Sequence, residues 1–354
     1  MHANAANFWN HHTSVVSHGD RAMAMFEKPY LLFLGDATDQ LAAKTAAGIA
    51  HWRPAWCVGQ LRLPNCNANL GLPDMNVEAA LAAGARTLVV GVANRGGVVA
   101  TNWLPVLMRA LEAGLDLASG LHRRLADIPE LRAVAERHGR KIVDVRHPSR
   151  DFEVGTGTRR SGKRLLTVGT DCSTGKMFTA LALERELRGR GVEADFRATG
   201  QTGIMIAGDG VSIDAVVADF ISGAVEWLSP SAGEDHWDMI EGQGSLFHPS
   251  YAGVSLGLLH GAQPAALVMC HEPSRDHMRG LPAYKLPSLR DCIDANLTAA
   301  RLTSPGARMV GVALNTSAYD AATADSLLKQ TADALGLPCV DPVRTGVGAI
   351  VDRL

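Results

Sequence analysis

The stretch from Thr167 to Ala180, TVGTDCSTGKMFTA, constrains the fold more than any other part of the chain. The apolar run Arg164-Leu-Leu-Thr-Val168 before it reads as a buried parallel strand. Gly169, the polar residues Thr170, Asp171, Cys172, Ser173 and Thr174, and then Gly175-Lys176 form a glycine-bounded loop. A helix-forming run from Thr179 to Leu187 follows. Strand, glycine loop, lysine and helix together are the P-loop arrangement. The glycines let successive N–H groups turn toward an anion, the helix adds its positive end, and the lysine adds a point charge. One residue departs from the nucleotide-hydrolase pattern. Where Ser or Thr would ligate magnesium, the chain has Met177. A thioether is a poor ligand for a hard cation. Thr179, two residues on, faces about 200° away and cannot substitute. The loop therefore suits a phosphate-bearing group that is held without being cleaved, and no metal is expected.

A parallel strand needs parallel neighbours, and the rest of the chain supplies two sets. Tyr30-Leu-Leu-Phe-Leu34, Ala55–Val58, Thr87–Val92, Leu115–Ala118 and Lys141–Val145 read as strands. Helices over 40–50, 77–83, 103–113 and 128–138 alternate with them, predicting an α/β domain of Rossmann-like type. After the P-loop strand come Val192–Phe196, His236–Glu241, Ala265–Cys270 and Met309–Leu314, with helices expected over 213–221 and 322–335. These predict a second, doubly wound α/β domain. The stretch HPSRDFEVGTGTRRS from His147 reads as the boundary, so the expected division is a tail over 1–24, a Rossmann-like domain over 25–150 and a P-loop domain over 151–354. The tail carries His2, His11, His12 and His18 without apolar periodicity, and poor order is expected there.

Ligands on such sheets sit beyond the carboxyl ends of the strands. Asp36, Asn94, Arg95 and Arg146 are the candidates from the first domain. Asp171, Gln201, Glu241, His271, Glu272, Arg275 and Asn315 cap strands of the second. With 354 residues, 47% hydrophobic and 20% charged, the chain is long enough for two cores of soluble, globular composition. A net charge of −2 gives no pull toward nucleic acid or anionic membrane. No apolar run approaches the ~20 residues of a membrane helix. Cysteines 57, 66, 172, 270, 292 and 339 form no CxxC pair, which points to a reducing, cytoplasmic setting rather than a zinc cluster or disulfide framework.

The segments GTDCSTGKM, ATGQTGIMIAGDGVSIDAVVADFISGAVE, EGQGSL and CHEPSR resemble the C-terminal half of a two-domain bacterial family long catalogued as a domain of unknown function. LGDATDQLAAKTA and GVANRGG resemble its Rossmann-like half. That family includes D-glutamate N-acetyltransferases, and its P-loop half is similar to dethiobiotin synthetase. The resemblance implies transfer of an acetyl group from acetyl-CoA to the amine of D-glutamate. It also implies a functional link to an enolase-type racemase, and a homo-oligomer is the default for such enzymes. For this chemistry Glu241 is the first candidate for the general base and His271 the second. The N–H groups of Gly242 to Ser245 are candidate oxyanion donors. Arg275, Arg95 and Gln201 are the candidates for holding the substrate, and residues 169–177 for the cofactor. An ATP-dependent ligase or NTPase of the dethiobiotin-synthetase type is the alternative, and a non-catalytic sensor of CoA or nucleotide the third possibility.

Overall fold

The computed structural model describes residues 25–40, 42–93, 98–148 and 150–354. The tail over 1–24 and the candidates Asn94 and Arg95 lie outside the described residues.

The first domain is built from β1 (Tyr30–Gly35), α1 (Lys44–Trp52), β2 (Cys57–Arg62), α2 (Val77–Ala82), β3 (Thr87–Val90), α3 (Leu104–Ala113), β4 (Asp116–Ser119), α4 (Pro129–His138) and β5 (Ile142–Asp144). Its five strands are all parallel, in the order β2-β1-β3-β4-β5. β1, β3 and β4 are buried along their whole length, as expected for strands covered by helices on both faces. Pro129 occupies the first turn of α4, and left-handed Gly139 ends it.

The second domain contains β6 (Lys163–Gly169), α5 (Lys176–Gly189), β7 (Ala194–Arg197), α6 (Gln201–Ala207), α7 (Ile221–Leu228), β8 (Trp237–Ile240), α8 (Ala252–Ala262) and β9 (Ala266–His271). It continues through the hairpin β10 (His277–Met278) and β11 (Leu281–Lys285), then α9 (Leu289–Arg301), β12 (Arg308–Leu314), α10 (Ala321–Leu335), β13 (Cys339–Val340) and α11 (Gly348–Val351). The main sheet has six parallel strands in the order β13-β12-β9-β6-β8-β7. β7 and β8 lie on one side of β6, and the later strands on the other. The order therefore reverses between β6 and β9, where a crevice opens at the carboxyl edge.

One sequence expectation changes. The helix expected over 213–221 is two 3-10 turns, Ile213–Ala215 and Ala218–Phe220, and the α-helix begins at Ile221. The residues after Arg197 lead into helix α6 at Gln201. The boundary segment is also fastened down. The N–H groups of Thr156 and Gly157 donate to the Glu226 carboxylate at 2.9 and 2.8 Å, and a Cβ at Gly223 would overlap the carbonyl of Glu153.

The domains share an apolar core. Leu32, Leu34, Ile49 and Trp52 from the first domain join Leu181, Met205 and Ile206 from the second in one buried cluster. Helix α1 is the first domain's contact element. Its Trp52 ring meets Phe178 of α5 edge-on at 5.4 Å, and Thr45 Oγ1 lies 3.3 Å from Thr202 Oγ1 of α6. Each large apolar side chain buried there contributes about 1.5–3 kcal/mol, which fixes the domains carboxyl edge toward carboxyl edge.

Candidate active site

The P-loop leaves β6 at Gly169 and enters α5 at Lys176. Five residues separate its bounding glycines, one more than in the GxxxxGK spacing. Left-handed turns at Ser173 (φ 57°) and Gly175 (φ 96°) close this longer loop. The 14-residue helix α5 then directs its positive end at the loop. Lys176 is buried. Its ammonium donates to the carbonyl of Asp171 at 2.7 Å, and burial lowers its pKa. A phosphate oxygen is the natural exchange partner for that carbonyl, because it restores a counter-charge that the carbonyl lacks. Thr179 is buried, and its hydroxyl is engaged with the Gly175 carbonyl at 3.0 Å.

Met177 has a positive role that its sequence context did not reveal. It is half-buried in the shared core, and a Cβ at Gly48 of α1 would lie 4.0 Å from its Cε and 3.3 Å from Cγ2 of Thr202. The position that binds magnesium in hydrolases serves instead to dock the first domain.

The Arg275 guanidinium is engaged by protein groups on and beside the P-loop. It donates from Nη1 to Asp171 Oδ2 at 2.7 Å and from Nη2 to the Cys172 carbonyl at 3.1 Å, and Nη2 pairs with Glu272 Oε2 at 2.9 Å. The Arg279 N–H reaches the same Asp171 oxygen at 2.7 Å. Fully buried Asp171 thus ties the segment after β9 to the P-loop, and Arg275, expected from the sequence to hold substrate carboxylates, is engaged with that loop here.

Glu241 directly follows β8 at the same sheet edge. Its Oε2 accepts the N–H groups of Thr199 and Gly200 at 3.0 and 3.1 Å, just before α6. Burial outweighs these bonds, the Gln243 side chain and the charge of Lys176, and pushes its pKa up to about 7. A carboxylate poised near neutrality can take and release a proton under working conditions. His271, at the end of β9, lies 2.9 Å through Nδ1 from Thr170 Oγ1. Burial and neighbouring Arg275 push its pKa down to about 4, so the ring is neutral at pH 7. Burial raises the Cys172 thiol, leaving it protonated rather than nucleophilic.

Asp171, Cys172 and His248 bring potential metal-ligand atoms within 4.8 Å of one another. The donor set does not suit an ion. His248 Nδ1 accepts the Ser250 N–H at 3.1 Å, so in the neutral ring the proton sits on Nε2, which faces Asp171 Oδ1 at 4.0 Å. Gln201, at the start of α6, turns toward the first domain, where a Cβ at Gly120 would overlap its Oε1. Arg146 donates from Nε to the Gly120 carbonyl at 3.2 Å. Asp36 is held within its own domain by Asn102 and Trp103.

A cavity of about 840 Å³ lies elsewhere, between β2 and the helices α2 and α3. Its charges are already paired, Arg62 with Asp74 and Arg109 with Glu78, and it holds none of the groups above. Chemistry rather than volume therefore puts the candidate site at the P-loop. No helix among the described residues is long and apolar enough to cross a membrane.

Fold and site define a two-domain α/β protein in which a P-loop domain is capped at its carboxyl edge by a Rossmann-like domain. The chain belongs to the DUF1611 family: residues 153–351 match its C-terminal P-loop domain and 62–148 its N-terminal Rossmann-like domain, both described as domains of unknown function. It is 56% identical over 330 residues to a D-glutamate N-acetyltransferase of Tritonibacter scottomollicae, covering 93% of this chain and 99% of that one. It is 51% identical over 326 residues to a D-glutamate N-acetyltransferase of a Pseudoalteromonas species, covering 92% and 98%. A DUF1611 family protein from Anabaena variabilis, solved by crystallography, superposes with a TM-score of 0.83 at 36% identity, over 92% of this chain and 99% of that one.

Proposed function

We propose that the protein is a D-glutamate N-acetyltransferase that uses acetyl-CoA and forms N-acetyl-D-glutamate and CoA. The names of the two relatives, at 51–56% identity over nearly the whole chain, support the acceptor and the reaction. The structural observation that carries it over phosphoryl transfer is Met177, which packs against α1 at the position that would bind magnesium.

Lys176 and the amino end of α5 hold the CoA pyrophosphate, with Ser173 and Thr174 in the same loop. Glu241, with its pKa near 7, is the general base. His271 is too weakly basic for that task. When Thr170 donates to Nδ1, the Nε2–H of His271 becomes a donor for the thioester oxygen. One proton of the substrate ammonium leaves to solvent before attack. The amine nitrogen then bonds to the thioester carbonyl carbon and gives its next proton to Glu241. The C–S bond breaks, and Glu241 returns the proton to the departing thiolate. The six free cysteines fit a cytoplasmic setting. From the resemblance to the acetyltransferases we infer an enolase-type racemase downstream, and we infer a homo-oligomer.

Purified protein incubated with acetyl-CoA and D-glutamate should release free thiol, and with ATP it should release no phosphate. Phosphate release that depends on an acceptor, without thiol release, would move the protein to the ligase class.

A further inference from the structure

With Arg275 committed to Asp171, the acceptor's two carboxylates need other cations. The first domain supplies them where the two carboxyl edges meet. Lys44 opens α1, and its neighbour Thr45 touches Thr202. Gln201, the residue before Thr202, packs on Gly120, and Arg146 holds the Gly120 carbonyl. The P-loop side contributes Arg279, bonded to Ser173 Oγ at 2.7 Å. Burial, and after it the charges of Arg279 and Arg146, lower the Lys44 pKa, so both arginines stand within electrostatic reach of Lys44. Among the described residues Lys44 has no hydrogen-bond partner, and Asp214, 2.6 Å from Arg146 Nη1, is the only carboxylate paired with any of the three. Three cations with one paired carboxylate leave a net positive charge complementary to a dianion.

We propose that Lys44 and Arg146 bind the two carboxylates of the acceptor amino acid, with Gln201 beside them. The Rossmann-like domain is then the acceptor-recognition domain and the P-loop domain the acetyl-donor domain. This rests on the acetyl-transfer proposal above. It explains why the domains are locked together through α1 and α6, because the acceptor amine must be presented across that seam to Glu241. A reaction that only needed CoA held at the P-loop would gain nothing from a lysine on the opposite domain, Lys44, that has no ion-pair partner among the described residues.

Lys44→Met tests it, since the side chain keeps its length and loses its charge. The KM for D-glutamate should rise about tenfold or more, the loss of one charge-assisted hydrogen bond. The KM for acetyl-CoA should stay within about twofold, and Lys44→Arg should restore most of the loss. The preference for D-glutamate over D-glutamine should shrink in Lys44→Met if the lysine meets the side-chain carboxylate, and should persist with weaker binding of both if it meets the α-carboxylate. An unchanged D-glutamate KM, or an equal rise in both KM values, overturns the proposal; the latter would assign Lys44 to the CoA phosphates. Calorimetric titration of D-glutamate separates this from failure of the acetyl-transfer proposal. Binding by wild type that is lost in Lys44→Met supports acceptor recognition whatever the turnover, and equal binding or none by wild type refutes it.

Discussion

Gly203 lies directly against Glu241: a Cβ on Gly203 would overlap the carboxylate oxygen Oε2 and sit 3.2 Å from the Phe196 ring. Gly203 is in the interior of α6, where glycine weakens a helix, so its side-chain-free backbone is what lets Glu241 reach the N–H groups of Thr199 and Gly200. Gly203→Ala should displace the carboxylate. The expected cost is about 1–3 kcal/mol of stability from overpacking, with loss of most acetyl transfer at temperatures where the variant remains folded. Thermal melts and initial rates measure both, and a fully active variant would remove Glu241 from the mechanism.

Glu241→Gln separates basicity from shape. The kcat should fall about 10²–10⁴-fold with little change in CoA affinity, and the wild-type acid limb near pH 7 should disappear. Stability carries a second signature. Burial raises the pKa from 4.5 to about 7, so between those values the folded state keeps a proton that the unfolded chain has released. Wild-type stability therefore falls as pH rises through that window, by about 3 kcal/mol in all. The Gln variant lacks this loss and should gain on wild type by a similar amount between pH 4.5 and 8. Urea midpoints that run parallel over this range would contradict the burial of an ionising carboxylate.

Arg275→Met should leave the buried Asp171 carboxylate without its cation. The expected loss is about 3–5 kcal/mol, with weaker CoA binding because the P-loop loses its anchor. Adding Asp171→Asn should recover part of the stability. At temperatures where the single variant is folded, the KM for D-glutamate should change less than that for acetyl-CoA. The opposite order would return Arg275 to substrate recognition.

The frame was legible because buried parallel strands are apolar runs, and β1, β6, β9 and β12 all announce themselves this way. The P-loop was legible because loop, lysine and helix are adjacent in sequence. Helix α6 was not, because Gly203 lowers its helical signal for the sake of Glu241, a residue on another strand. Arg275 read as a free cation because its partner lies 104 residues away. Nothing local in the sequence marks Lys44, since no neighbouring residue shows that α1 faces a second domain. The apolar residues over 213–221 had helical spacing, yet Val216 and Val217 are extended between two short turns.

Met177 leads to a prediction about metal. Because its side chain packs against α1 and offers no oxygen ligand, chelation with EDTA should leave acetyl transfer intact. Loss of activity in EDTA, restored by magnesium, would show that the loop works with a cation after all.

The central claim is that the P-loop holds the acetyl donor, and Lys176→Ala tests it most directly. Calorimetric titration of CoA should give measurable binding to wild type and about 10- to 100-fold weaker binding to the variant, as expected when a charge-assisted bond to phosphate is removed. A CoA dissociation constant identical in the two proteins would contradict the account.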